Sequence, residues 1–173
     1  APMLHIAGHT PEAGMPSAPA ADRVTIDCEM LADAWRQLNS GGADIDLVAI
    51  GSPHLSLAEL HLIDAALGGR HRHADVKLIL TIGRDILDIA RQDGVAARLE
   101  ASGATVSADR CWCSITQPLF PPETKVLMTN SGKYAHYATG LSGCRVRLGG
   151  ITACIEAAVS GIANTALPRW LGH

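Results

Sequence analysis

Aromatic side chains are scarce in this sequence: three Trp, two Tyr and one Phe make up 3% of 173 residues. Aliphatic residues and alanine must therefore fill the interior, and a hydrophobic content of 47% is enough for the core of one compact domain. Basic residues are in no excess: 14 Lys and Arg against 17 Asp and Glu leave a net charge of -3. That balance gives no footprint for nucleic acid. No apolar run approaches the roughly 20 residues of a membrane helix, and no basic-then-apolar lead suggests a secretory signal. The five cysteines are odd in number and scattered, which argues against a disulfide framework and for a cytoplasmic chain with thiols or metal ligands. The paired C-x-x-C of a zinc ribbon is missing, as is any internal repeat. A P-loop is excluded too: Gly132-Lys133 is present, but Leu127 stands where the first glycine belongs and Tyr134 replaces Ser or Thr.

What is present is an alternation of apolar runs and helical periods. Met3 to Gly8 is strand-like, and residues 13–21, rich in Ala, Pro, Gly and Ser, read as a flexible loop. A short helix is expected from Met30 to Leu38, before the breaker Asn39-Ser40-Gly41-Gly42. Leu47–Ile50, Val76–Ile82 and Val126–Met128 are apolar without polar alternation, as interior parallel strands are. Ser52-Pro53-His54 is expected to turn out of the first of these. Ser56 and Glu59 form a capping box for a helix that runs to Gly68-Gly69. Helical pattern covers Asp85–Arg91, breaks at Asp93-Gly94 and resumes to Ala101, and Ala104–Val106 is a short strand. Cys144–Leu148 alternates, which suggests a strand nearer an edge, and the apolar spacing from Ile151 to Ile162 is that of an amphipathic helix. Repeated β-then-α order implies a three-layer αβα domain on a mostly parallel sheet, with residues 1–173 as one unit.

The chemistry concentrates in Thr129-Asn130-Ser131-Gly132-Lys133-Tyr134-Ala135-His136-Tyr137, which holds both tyrosines of the chain. It follows a buried strand, and ligands of open α/β sheets bind outside the carboxyl ends of strands. Asn130, Ser131 and Gly132 would make the turn. Lys133, Tyr134 and Tyr137, three and four residues apart on the helix that follows, can face a common ligand. An ordinary polar strand-to-helix loop has the same composition. His9-Thr10, Ser52 to His54 and Cys111 to Cys113 also follow expected strands, so parallel strands would gather them at the same edge.

Cys111-Trp112-Cys113 could bring two sulfurs to one metal. Cys154 opens a helix whose dipole favours a thiolate, yet it lies on the apolar face, where cysteine is commonly an inert core residue. Cys28 and Cys144 read as packing residues. His71 and His73 fall in a helix-to-strand loop on the opposite edge and suit a solvated loop better than a metal site. His54 is better placed, although its turn can use it as a structural hydrogen-bond partner.

Several blocks together resemble the aconitase X family of hydro-lyases: Thr10-Pro11-Glu12-Ala13, Gly51-Ser52-Pro53-His54-Leu55-Ser56, Ala108-Asp109-Arg110-Cys111, the 129–137 block, and Val146-Arg147-Leu148-Gly149 leading to Cys154. The resemblance implies an aconitase-like α/β domain, the C-terminal part of a large catalytic component, working with the rest of that component and with a swivelling small domain or subunit. It implies an iron or iron–sulfur centre with Cys111 and Cys154 as two ligands and a third from outside the chain. Lys133, His54 and Ser131 would be catalytic, and Thr10, Ser52, Asn130, Ser131, Lys133 and Tyr134 would bind substrate. Arg110 stands where the family pattern has threonine, and Ser52 where archaeal members tend to have cysteine. The expected reaction is dehydration of cis-3-hydroxy-L-proline to Δ1-pyrroline-2-carboxylate, with mevalonate 5-phosphate as the alternative substrate. From the residues alone, a non-catalytic ligand-binding module and a thiol redox protein using Cys111 and Cys113 stay open.

Overall fold

Leu47, Val48, Ala49 and Ile50, all fully buried, begin the central strand β1 (Leu47–Leu55). Around it the computed structural model, which describes residues 5–14, 24–112, 115 and 119–171, builds a five-stranded sheet. The other strands are β2 (Lys77–Ile82), β3 (Ala104–Ala108), β4 (Val126–Thr129) and β5 (Arg145–Leu148). Their order is β3-β2-β1-β4-β5, and every pairing is parallel. The three apolar runs are thus the interior strands, and the alternating run is an edge strand. Continuous apolar sequence is what burial on both faces selects.

Helices lie on both faces, which gives the three layers. On one face α2 (Leu57–Leu67), α3 (Arg84–Gln92), α4 (Val95–Ala101) and α6 (Ile151–Ser160) contribute Leu60, Ile63, Leu87, Ala90, Leu99, Ile155 and Ala158 to the larger core. On the other face α5 (Gly132–Ser142) packs on β4 and β5, and its core joins Tyr134 and Ala138 to Trp112, Leu47 and Val146. Each fully buried aliphatic side chain stabilises by about 1.5–3 kcal/mol. Helix α1 (Cys28–Gln37) is capped by Asp27, whose carboxylate accepts from the Met30 N–H. The Ser56–Glu59 capping box opens α2 as its sequence requires.

The chain after α1 closes the β5 edge. Gly41 N–H donates to Val146 O at 2.9 Å, and the Leu148 N–H donates to Asn39 Oδ1 at 2.9 Å. Arg147, only 6% exposed, donates to the carbonyls of Asn39, Gly41 and Asn164, and burial lowers its pKa. A sheet edge covered in this way offers no row of open backbone groups for another strand.

Two expectations are corrected here. His5 to Gly8 is not strand: Ala7 to His9 form a turn, and Pro11–Gly14 is a short 3-10 helix. Thr10 makes that turn, accepting from the Ile6 N–H at 2.8 Å and donating to the Ile6 carbonyl. Local side-chain to backbone bonds of this kind outcompete extended structure. Of the stretch read as a loop, Ala13 and Gly14 belong to this 3-10 helix, and residues 15–21 lie outside the described residues. Second, Ser52-Pro53-His54 does not leave the sheet. β1 continues to Leu55, which pairs with Ile82 beyond an irregularity after Ile50. The buried Thr81 hydroxyl sits against the carbonyls of Ile50, Gly51 and Pro53 and holds the irregular segment in the sheet.

Candidate functional site at the carboxyl edge

Because all five strands are parallel, the segments after β1, β2, β3 and β4 share one edge. β1 connects to β2 on its one side through α2, on the larger-core face. β4 lies on its other side and connects to β5 through α5, on the opposite face. The crossovers therefore diverge between β1 and β4. A switch point of this kind opens a crevice at the carboxyl ends of open α/β sheets.

Ser52, in the irregular last part of β1, and Asn130, directly after the neighbouring strand β4, lie at this switch point. Ser52 Oγ and Asn130 Oδ1 are both buried and find no hydrogen-bond partner among the described residues. An unsatisfied buried polar atom costs about 1–3 kcal/mol, and natural folds satisfy most of them. Gly51 makes the segment possible. Its φ is +102°, and a Cβ there would lie 2.3 Å from the Thr81 carbonyl oxygen. Only glycine accepts that conformation and that approach.

Ser131 is the N-cap of α5: its Oγ accepts from the Tyr134 N–H at 3.2 Å, and its own N–H donates to Thr129 Oγ1. Lys133, in the first turn, is exposed at the helix end whose dipole favours anions. Tyr134 does not share the exposed face of Lys133 and Tyr137. Its ring is 1% exposed and stacks on Trp112 at 5.4 Å, whereas Tyr137 is 53% exposed. Helical spacing brings residues i and i+1 about 100° apart, enough to send Tyr134 into the core.

His54 is exposed at the end of β1 and faces a pair that the sequence reading did not single out. Asp109, after β3, caps the start of α3: its carboxylate accepts from the Arg84 N–H at 3.0 Å and from the Arg84 side chain. These bonds hold the Asp109 carboxyl below the ordinary carboxylate range, the charges of Arg84 and His54 adding to the effect. Asp109 has a left-handed φ of 56°. The signal was available, because Gly83-Arg84-Asp85 follows an expected strand just as the other clusters do.

The sulfurs are placed less simply. Cys111 follows β3 and is partly buried, next to Trp112 of the α5-side core. Cys154 is fully buried in the core on the opposite face of the sheet, its Sγ 3.6 Å from the Gly149 carbonyl oxygen. Burial pushes its thiol up to about 12, so Cys154 is a neutral thiol in this chain at physiological pH. Cys113 lies outside the described residues. Among the described residues no three His, Cys, Asp or Glu side chains come together to hold a metal ion. The donor set of the described residues therefore does not make a metal centre on its own.

Thr10 is not brought to this edge by any strand, and His71 and His73 precede β2, at the amino edge. Clefts lined by Asp64, His71 and Arg98, and by Asp44, His73 and Ser160, also lie there. No helix among the described residues is long and apolar enough to cross a membrane.

Residues 45–160 match the model of the aconitase X third domain. The chain is 45% identical to the cis-3-hydroxy-L-proline dehydratase of Pseudomonas aeruginosa over 99% of its length, and covers 31% of that protein. Its identity to the enzyme of the same name from Hypocrea jecorina is 37%, over 99% of this chain and 30% of that one. The phosphomevalonate dehydratase large subunit of Methanothermobacter thermautotrophicus is 31% identical over 82% of this chain and 35% of its own. Among solved structures, aconitase X of Thermococcus kodakaraensis in its holo form superposes with a TM-score of 0.73 at 26% identity, covering 87% of this chain and 38% of that one. The chain thus spans about a third of the length of these relatives.

Proposed function

The chain belongs to the aconitase X family, and on that premise we propose that it forms one wall of the active site of a larger hydro-lyase that dehydrates cis-3-hydroxy-L-proline. The observation that carries this reading is the pair of orphan oxygens, Ser52 Oγ and Asn130 Oδ1, at the β1/β4 switch point. Support for the substrate comes from the higher identity to the two relatives named for that activity than to the phosphomevalonate dehydratase large subunits.

The elimination removes the proton on C2 and the hydroxyl on C3. The C2–H electron pair forms the C2=C3 double bond, hydroxide leaves and is protonated to water, and the enamine tautomerises to the C=N of Δ1-pyrroline-2-carboxylate. Lys133 and the first N–H groups of α5 would hold the substrate carboxylate and stabilise charge that builds up next to it. Ser131 would add its hydroxyl proton to the same group while its oxygen caps the helix. His54, beside Asp109, would move a proton at the leaving hydroxyl. Ser52 and Asn130 would line the pocket, with the buried Tyr134 ring backing it. The base for the C2 proton would come from the remainder of the catalytic region or the swivelling part. Cys111 and Cys154 are the two thiols that this chain would offer an iron or iron–sulfur centre completed from outside it.

The complete enzyme, assayed with both family substrates, tests the reading. Formation of Δ1-pyrroline-2-carboxylate is expected, and turnover of mevalonate 5-phosphate alone would overturn it.

A further inference from the structure

Each orphan oxygen specifies the kind of group it lacks. Asn130 Oδ1 is an acceptor, and a substrate carboxylate or phosphate is also an acceptor, so neither can satisfy it. It needs a donor. Ser52 Oγ, in the neighbouring strand, can accept as well as donate. The carboxylate has its own partners, Lys133 and the α5 N-terminus, in the next turn of chain beyond Asn130. That leaves the two orphan oxygens available to whatever else the ligand carries.

Two unsatisfied oxygens at the carboxyl ends of neighbouring parallel strands match a group with two N–H bonds on one nitrogen. The protonated ring nitrogen of a five-membered cyclic amino acid is such a group. A phosphorylated hydroxy acid brings mainly acceptors and an extra anion, and its hydroxyl supplies a single O–H donor where the ring ammonium supplies two charged N–H donors.

We infer that Asn130, with Ser52, reads the ring ammonium of the substrate and is the residue by which this crevice selects a cyclic amino acid. This rests on the proposed dehydratase reading for its substrate, but the test below is one of binding and does not need turnover. The pair of ligands is L-proline and oxolane-2-carboxylate, which differ in one ring atom, N–H2⁺ against oxygen. In the complete enzyme proline binds more tightly, by about tenfold or more, the worth of a charge-assisted hydrogen bond. Asn130→Leu brings the ratio close to one by weakening proline alone. Asn130→Asp, which keeps the acceptor and adds charge, retains or raises the ratio, and folding of both variants is checked by circular dichroism.

Equal binding of the two ligands by the unsubstituted enzyme overturns the inference, as does an unchanged ratio in Asn130→Leu. If cis-3-hydroxy-L-proline is turned over yet the ratio ignores Asn130, only this inference falls. If proline does not bind and hydroxyproline is not turned over, both readings fall.

Discussion

At the amino edge of the sheet, Arg72 donates to the carbonyls of Gly103, His73, Ala74 and Val76. Asp46 Oδ2 accepts from the N–H groups of Lys125 and Val126, both at 2.8 Å. Arg98 pairs with Asp64 at 2.7 Å, and Arg70 with Glu156 at 2.6 Å. At the carboxyl edge, Ser52 Oγ and Asn130 Oδ1 are buried without partners among the described residues, and Lys133 is exposed. Both edges are polar and both have charged residues. The amino edge spends its polar groups on its own backbone, which ties strand starts together and raises stability. The carboxyl edge keeps some in reserve, at a cost in stability that only a ligand or a neighbouring domain can recover. The contrast locates a site where polarity alone would point equally to His71 and His73.

The contrast breaks most severely at Gly51. An alanine there would have its Cβ 2.3 Å from the Thr81 carbonyl oxygen, in a backbone with φ +102°. Gly51→Ala is expected to cost about 3 kcal/mol or more, from strain and overlap together, read by urea denaturation. A loss below about 1 kcal/mol would mean that the β1 end is far more pliant than its hydrogen bonds to Thr81 imply. Next in size is Lys133→Ala in the complete enzyme. Losing a charge-assisted hydrogen bond of about 1.5–3 kcal/mol lowers kcat/KM by one to two powers of ten, while His71→Ala at the other edge leaves it unchanged. Similar kinetics in both variants would erase the distinction between the edges.

Much of this contrast could be read in the sequence, and the parts that could not have physical causes. Leu47–Ile50, Val76–Ile82 and Val126–Met128 announced interior parallel strands because burial on both faces admits no polar alternation. Once they were parallel, the polar residues after them had to share an edge. What sequence could not supply was side-chain satisfaction. Asn130 and Asp46 are both polar residues beside strands, and only the fold tells that the Asp46 carboxylate is paired while Asn130 Oδ1 has no partner among the described residues. Tyr134 shows a second limit: helical spacing placed it near Lys133, but tertiary packing on Trp112 decided its face. Of the strand expected at Met3 to Gly8, the described part, His5 to Gly8, is not extended because Thr10 closes a local turn there.

Asp46 tests the amino edge from its own side. Its carboxylate satisfies two backbone N–H groups at the start of β4, one on the buried Val126. Asp46→Ala should cost about 1–3 kcal/mol in stability and leave the kcat/KM of the folded fraction unaltered. A catalytic defect without a stability defect would make the amino edge functional and reverse the comparison.

The smallest expected effect is the most discriminating, because its sign differs between the edges. Ser52→Ala removes a hydroxyl whose oxygen is buried without a partner. Nothing in the fold is lost with it, since no described residue bonds to it, and the Cβ stays in place. The change relieves part of a desolvation cost and leaves a space no larger than the oxygen, so the chain should gain up to about 1 kcal/mol. Proteins retain such a cost at positions where a ligand meets the group, and activity should therefore fall as stability rises. Chemical denaturation of the chain and kcat/KM of the complete enzyme together read both signs. A loss of stability would show that the hydroxyl supports the fold, and unchanged turnover would remove Ser52 from the site and leave Asn130 alone at the switch point.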